Sequence, residues 1–160
     1  MGFVRSKAER GVTLIELLIV VSLIALMVGI TFPSISSGID SIRLASAADS
    51  VAAFLNSGLS RTERLQEVVE IEIRPGQGRL AMRSSRPGFE KTLELPAGVT
   101  VRRVLPEILG QPQAPRRVLL FPGGTVPRIT VELVNSRGAM RTVRIDPVTG
   151  VPEIRRGGAQ

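Results

Sequence analysis

The sequence predicts an α+β protein. A long, kinked N-terminal helix, transmembrane in its first half, packs on a C-terminal, mostly antiparallel β-sheet or small sandwich. Three observations lead there. An almost pure apolar run fills Val12–Phe32, and an apolar stripe at three- and four-residue steps follows it. Short alternating runs separated by Gly- and Pro-rich turns take up the rest. The chain divides accordingly into residues 1–11, a leader; 12–33, a spanning helix; 34–65, an amphipathic helix; and 66–160, a β-rich domain.

The leader is short and basic, with Arg5, Lys7 and Arg10 against Glu9. The excess of positive charge holds this side of the membrane in the cytoplasm. No second apolar run occurs in the next sixty residues, so the domain is expected on the far side.

The span holds fourteen Leu, Ile, Val or Phe residues in the 21 positions from Val12 to Phe32. A helix of that length covers about 30 Å, the thickness of a bilayer's hydrocarbon core. Each such side chain gains about 0.3–0.6 kcal/mol on insertion, and a central charge costs about 2.5–3.5 kcal/mol. Insertion is therefore favoured even with Glu16 aboard, and an intramembrane carboxylate is a functional candidate by default. A cleaved secretory signal has an apolar region of only about 7–15 residues ending in a small-x-small site. The run here is longer, and TFPSISSGID makes a poor site of that kind. A plain membrane anchor is the other reading.

Residues R-G-V-T-L-I-E-L-L-I-V, Arg10–Val20, carry a resemblance. They are similar to the class III signal of type IV pilins and pseudopilins. The resemblance implies that a prepilin peptidase cuts on the cytoplasmic side after Gly11 and methylates the new N-terminus, Val12. That family usually has Phe where this chain has Val12. It also implies a role for Glu16, now the fifth residue. A charge in hydrocarbon needs a partner, and in a filament of staggered parallel helices the Val12 ammonium of one subunit would neutralise the Glu16 carboxylate of its neighbour. The pair would set the axial register. The plainer reading of Glu16 is an interfacial carboxylate in the first helical turn, favoured by the helix dipole.

Pro33 ends the span but not the helix. Ile35, Ile39, Ile42, Ala45, Ala48, Ala52, Leu55 and Leu59 form the stripe, with Ser36, Asp40, Arg43, Ser50 and Asn56 opposite. One helix of about fifty residues is expected, kinked or locally melted near Gly29–Pro33. Its second half lays the stripe on a sheet.

Strands follow from Val68. VVEIEIR alternates apolar and acidic residues, PGQG is turn chemistry, and RLAMR completes a hairpin. KTLELP and VTVRRVL are the next two, ahead of a Pro106–Pro115 loop. RVLLF, RITVELVN and MRTVRID come after it, separated by PGG and SRG turns. DPVTG is a last tight turn before a short VPEI end. Six or seven strands in about 85 residues make a small antiparallel sheet or sandwich. Phe121, Pro122 and Gly123–Gly124, then Ile145, Asp146, Thr149 and Gly150, resemble the closing segments of GspH/FimT-type minor pilin domains. Here the glycine pair follows the proline directly, a departure from the usual spacing.

Composition excludes several chemistries. With no Cys and no His there are no disulfides, no Cys/His metal or haem site, and no Ser-His-Asp or Cys-His catalysis. No Tyr, no Trp and five Phe leave few platforms for stacking bases. Asp146 reads as an Asx turn rather than a calcium loop, which needs six to eight oxygens. Glu70 and Glu72 share one solvated strand face. The glycine pairs lack a phosphate-loop context. Neither an enzyme nor a cofactor is expected.

The formal net charge is +7, of which +2 belongs to Met1–Gly11, and nineteen of the 21 basic residues are arginine. Two functions stay open. The resemblance implies a minor pseudopilin of a type II secretion system, an inner-membrane protein with its N-terminus cytoplasmic and its domain periplasmic. Its partners would be other pseudopilins along the N-terminal helix, the prepilin peptidase and the inner-membrane assembly platform. Alternatively it implies a FimT-type minor pilin of a type IV pilus that binds DNA for uptake, with Arg137, Arg141, Arg144, Arg155 and Arg156 on phosphates. Arg141 and Arg144 fall on opposite faces of their strand, which argues against one patch.

Overall fold

Thr13 opens the helix. Its hydroxyl accepts a hydrogen bond from the Glu16 backbone N–H at 3.3 Å, satisfying one of the donors that a helix start leaves without a partner. From there α1 runs over Leu14–Leu65, 52 residues. It stops where Gln66 takes a left-handed conformation (φ 52°) and its side-chain amide donates to the Glu63 carbonyl at 2.7 Å. The computed structural model describes residues 12–157, except for the side chains of residues 30–37. The expected cut at Gly11 lies outside the described residues, as do the side chains of stripe position Ile35 and of Ser36 opposite it; α1 runs through Gly29–Pro33 as one helix, without the expected local melting.

The chain divides into two compact units, Met1–Gly38 and Ile39–Gln160. In the first, the large apolar side chains from Val12 to Val28 are all exposed, none below 47%. The expected span is not supported by the fold itself. Among the described residues no helix is long and apolar enough to cross a membrane. Residues 30–32, the end of the expected span, are among those whose side chains are not described.

The second unit carries eight strands in two antiparallel sheets. They are β1 (Val69–Ile73), β2 (Arg79–Ser84), β3 (Glu90–Glu94), β4 (Val99–Leu105), β5 (Arg116–Leu120), β6 (Thr130–Asn135), β7 (Met140–Ile145) and β8 (Pro152–Gly157). One sheet has the order β3-β2-β1-β5 and the other β4-β6-β7-β8. Alternation does the sorting: Val69, Ile71 and Ile73 are buried, while Glu70 and Glu72 face outward. The inner faces of both sheets and the helix share one core. It includes Leu44, Val51, Phe54 and Leu55 from α1, Leu80, Met82 and Leu120 from the first sheet, and Val101, Leu133 and Val143 from the second.

Two expectations need correcting. The buried stripe of α1 is Leu44, Ala47, Ala48, Val51, Phe54 and Leu55, continued by Gly58 and Thr62. Ala48 and Leu55 belong to it, and Ala52 and Leu59 pack at its border. Ile39 and Ile42, however, are 44% and 70% exposed. At about 100° per residue Ile42 sits about 160° round the helix from Leu44, so a stripe traced from it in steps of three and four drifts off the sheet-facing side. The second correction concerns the end of the domain. The short VPEI segment is a complete strand, and it includes Arg155 and Arg156. β8 stays in register with β7 from Ile145↔Pro152 to Met140↔Gly157, so pairing carries it past the apolar residues.

The outward face of the first sheet is ion-paired rather than merely solvated. Arg117 lies 3.5 Å from Glu70 and 3.6 Å from Glu72, and Arg74 Nε lies 2.6 Å from Glu72. These contacts, led by the hydrogen bond from Arg74, hold the Glu72 carboxyl below its ordinary range.

Candidate functional site

Two regions carry the residues that matter. The first is the start of α1. Glu16 stands in the first turn, its backbone capped by Thr13, among exposed Leu14, Ile15, Leu17 and Leu18. Thr13-x-x-Glu16 has the spacing of a capping box, a signal that the surrounding apolar run conceals. Ser22 returns its hydroxyl to the Leu18 carbonyl at 2.7 Å, so the second polar side chain in this stretch is satisfied within the helix. What stays unsatisfied is apolar surface, distributed around the helix rather than along one stripe. A helix hydrophobic all round is one that something must enclose.

The second region is the β6–β7–β8 end of the domain, where the structure sorts the five candidate arginines. Asn135 shapes the β6–β7 turn: its side-chain oxygen accepts from the N–H groups of Arg137 and Ala139 at 3.1 and 2.9 Å. The turn presents Arg137 to the helix, and its Nε donates to Asp40 Oδ2 at 2.8 Å. Arg141 and Arg156 are direct cross-strand partners. They line a groove of about 320 Å³ together with Ser41 and Leu44 of α1, Gly138 and Met140. Arg144 and Arg155 lie on the other face. Arg144 stands opposite Glu153, and Arg155 Nη2 lies 3.1 Å from that same carboxylate. The structure therefore brings Arg137, Arg141 and Arg156 to one place and keeps Arg144 and Arg155 apart from them.

The remaining polar clusters hold the fold together. Asp146 Oδ1 accepts from the N–H groups of Val148 and Thr149 at 2.7 and 3.2 Å, an Asx turn, and those bonds lower its pKa. Among the described residues no three His, Cys, Asp or Glu side chains group as metal ligands. A groove of about 740 Å³ runs between Ser57, Leu59, Ser60, Glu63 and Arg64 of α1 and Val126, Thr149 and Gly150. Glu63 and Arg64 are the titratable groups that line it.

Residues 6–32 match the family model described as the prokaryotic N-terminal methylation motif. No curated protein and no solved structure matches the chain. The match takes in Glu16 and the exposed apolar side chains from Leu14 to Val28, and stops short of the sheets. The chain thus carries a type IV pilin-like N-terminal signal ahead of a helix-on-sheet domain whose layout fits a pilin-like protein.

Proposed function

We propose that the protein is a minor pseudopilin of a type II secretion system, a structural subunit of the periplasmic pseudopilus that helps drive protein export through the outer membrane. The observation that carries this is the methylation motif over residues 6–32, coincident with the stretch Val12–Val28, whose large apolar side chains are all exposed. In this reading a prepilin peptidase removes Met1–Gly11 and methylates Val12. Val12–Phe32 then sits in the inner membrane until it packs among the helices of neighbouring subunits. Glu16 meets the Val12 ammonium of the next subunit. Ile39 and Ile42 of the second unit are exposed as well and would offer those neighbours further apolar contact.

The second reading, a minor pilin that binds DNA for uptake, draws on Arg137, Arg141 and Arg156 at one end of the domain. Against it, Arg144 and Arg155 face the other way.

The test is the intact mass of the membrane-extracted protein, expressed with and without a prepilin peptidase. Loss of Met1–Gly11 with gain of one methyl group, only when the peptidase is present, is the expected result. An uncut chain would reduce Val12–Phe32 to a plain anchor and remove the filament reading.

A further inference from the structure

We propose that the β6–β7–β8 end of the domain binds anionic phospholipid headgroups through Arg141 and Arg156, with Arg137 and Arg43 beside them. The proposal rests on the reading of Val12–Phe32 as a membrane span.

Its first support is an arrangement that costs the fold stability. Like charges directly opposite each other on antiparallel strands repel, and Arg141 and Arg156 are such a pair. Neither has a carboxylate partner among the described residues, whereas Arg74, Arg83, Arg103, Arg117 and Arg155 all do. Arg141 and Arg156 line one groove with Ser41, so a phosphate held there has two planar donor forks and a hydroxyl within reach.

The second support is the local charge balance. Asp40 is shared between Arg137 at 2.8 Å and Arg43 at 3.9 Å. With Arg141 and Arg156, the described residues of this end place four cations around the Asp40 carboxylate.

The third is the tether. Asp40 and Ser41 follow Phe32 by eight and nine residues. Along any path the backbone takes, Asp40 lies within about 29 Å of the end of the apolar run, and the headgroup layer covers about 5–8 Å of that distance. Arginines that are weak lipid ligands singly become effective when the chain holds them at the surface. DNA is the less suitable polyanion. Its phosphates need a track of cations, and the other arginines of this end lie on the opposite face.

The test uses the full chain, reconstituted in vesicles of phosphatidylcholine alone or with phosphatidylglycerol. The chain has no cysteine, so Ser136→Cys on the β6–β7 turn takes a single fluorophore. Quenching by headgroup nitroxides reports how close the turn comes to the lipid. Quenching about threefold stronger with phosphatidylglycerol is expected, falling to the phosphatidylcholine level between about 0.05 and 0.5 M salt. Arg141→Gln/Arg156→Gln should lose the difference while melting no lower than the parent, since it relieves a repulsion. Equal quenching in both lipids by a chain that floats with both vesicles would overturn the headgroup site and leave the span standing. Failure to float with phosphatidylcholine vesicles would overturn the span and the headgroup site together. Arginine-dependent binding of duplex DNA, without a phosphatidylglycerol effect, would assign the groove to nucleic acid instead.

Discussion

Glu67 accepts a hydrogen bond from the Ser84 hydroxyl, across seventeen residues, and so fastens the end of the long helix to the second strand of the sheet. The carboxylate is 4% exposed. Arg86 Nε approaches it at 3.1 Å and Arg61 Nη2 at 3.4 Å. Arg61 Cζ in turn lies over the Phe89 ring, 3.6 Å from its centre, a cation–π contact, while its buried Nε has no hydrogen-bond partner among the described residues. Helix end, hairpin and turn are joined by one acid.

Acid should loosen this clasp. The Ser84 hydrogen bond first, then Arg86 and Arg61, hold the Glu67 carboxyl below its ordinary 4.5, against the opposing effect of burial. A carboxyl depressed in the folded state contributes stability that is complete above its unfolded value and is lost as pH falls through its folded one. The melting temperature should therefore be level near neutrality and drop as pH falls below about 4.5. Glu67→Gln should lower the neutral melting temperature and flatten part of that drop. A variant with the parent's full acid sensitivity would place the effect elsewhere, Glu72 and Asp146 being the other depressed carboxyls.

Gly58 packs closely against the first sheet. A Cβ there would lie 3.0 Å from Ile71 Cδ1, 3.1 Å from Met82 Cε and 3.3 Å from Leu120 Cδ1. All three are ends of flexible side chains, so a methyl group has room after small shifts. Alanine also restores up to about 1 kcal/mol of helix propensity. Gly58→Ala should come out within about 1 kcal/mol of the parent, whereas Gly58→Leu should cost about 1–3 kcal/mol or more by overpacking. Chemical denaturation distinguishes them. Equal stability of the two would mean that the helix stands off the sheet.

Leu55 is 1% exposed at the centre of the helix–sheet contact. Leu55→Ala should destabilise the domain by about 2–5 kcal/mol. The same change at Ile42, 70% exposed, should leave the melting temperature of the isolated protein within a degree or two of the parent, an effect of about 0.5 kcal/mol or less. A loss at Ile42 as large as that at Leu55 would contradict the burial of the two faces.

Glu16→Val should leave membrane insertion and leader removal intact and abolish incorporation into filaments, scored by co-purification with assembled pseudopilus subunits. Normal incorporation of this variant would remove the proposed pairing with the Val12 ammonium. At the cut site, Gly11→Ala should slow leader removal modestly, and a bulky residue there should leave the leader attached. Both outcomes are read from the intact mass.

Much of the architecture was legible in the chain because it depends on local periodicity. Val69–Ile73 alternates with a period of two, and a strand with one buried face needs nothing more. The hairpin turns announced themselves through Gly76 and Gly138, which both take positive φ. The N-terminal motif is a linear pattern, and it was readable as one. Which side of α1 meets the sheet was not, because residues 39–59 offer apolar side chains over a wide arc and only the facing sheet selects among them.

The same holds for the basic residues. The sequence by itself determined that the chain is arginine-rich, has no cysteine or histidine chemistry, and carries an N-terminal methylation motif leading into an apolar helix. It also gave the order of the first seven strands, though not the eighth. Tertiary structure decided that Arg141 faces Arg156, that Asp40 serves Arg137 across 97 positions, and that Glu67 is buried between two guanidinium groups. Hydrogen-bond register and burial create these relationships between residues far apart in the chain, and no local pattern encodes the distance between two side chains that only the closed fold brings together.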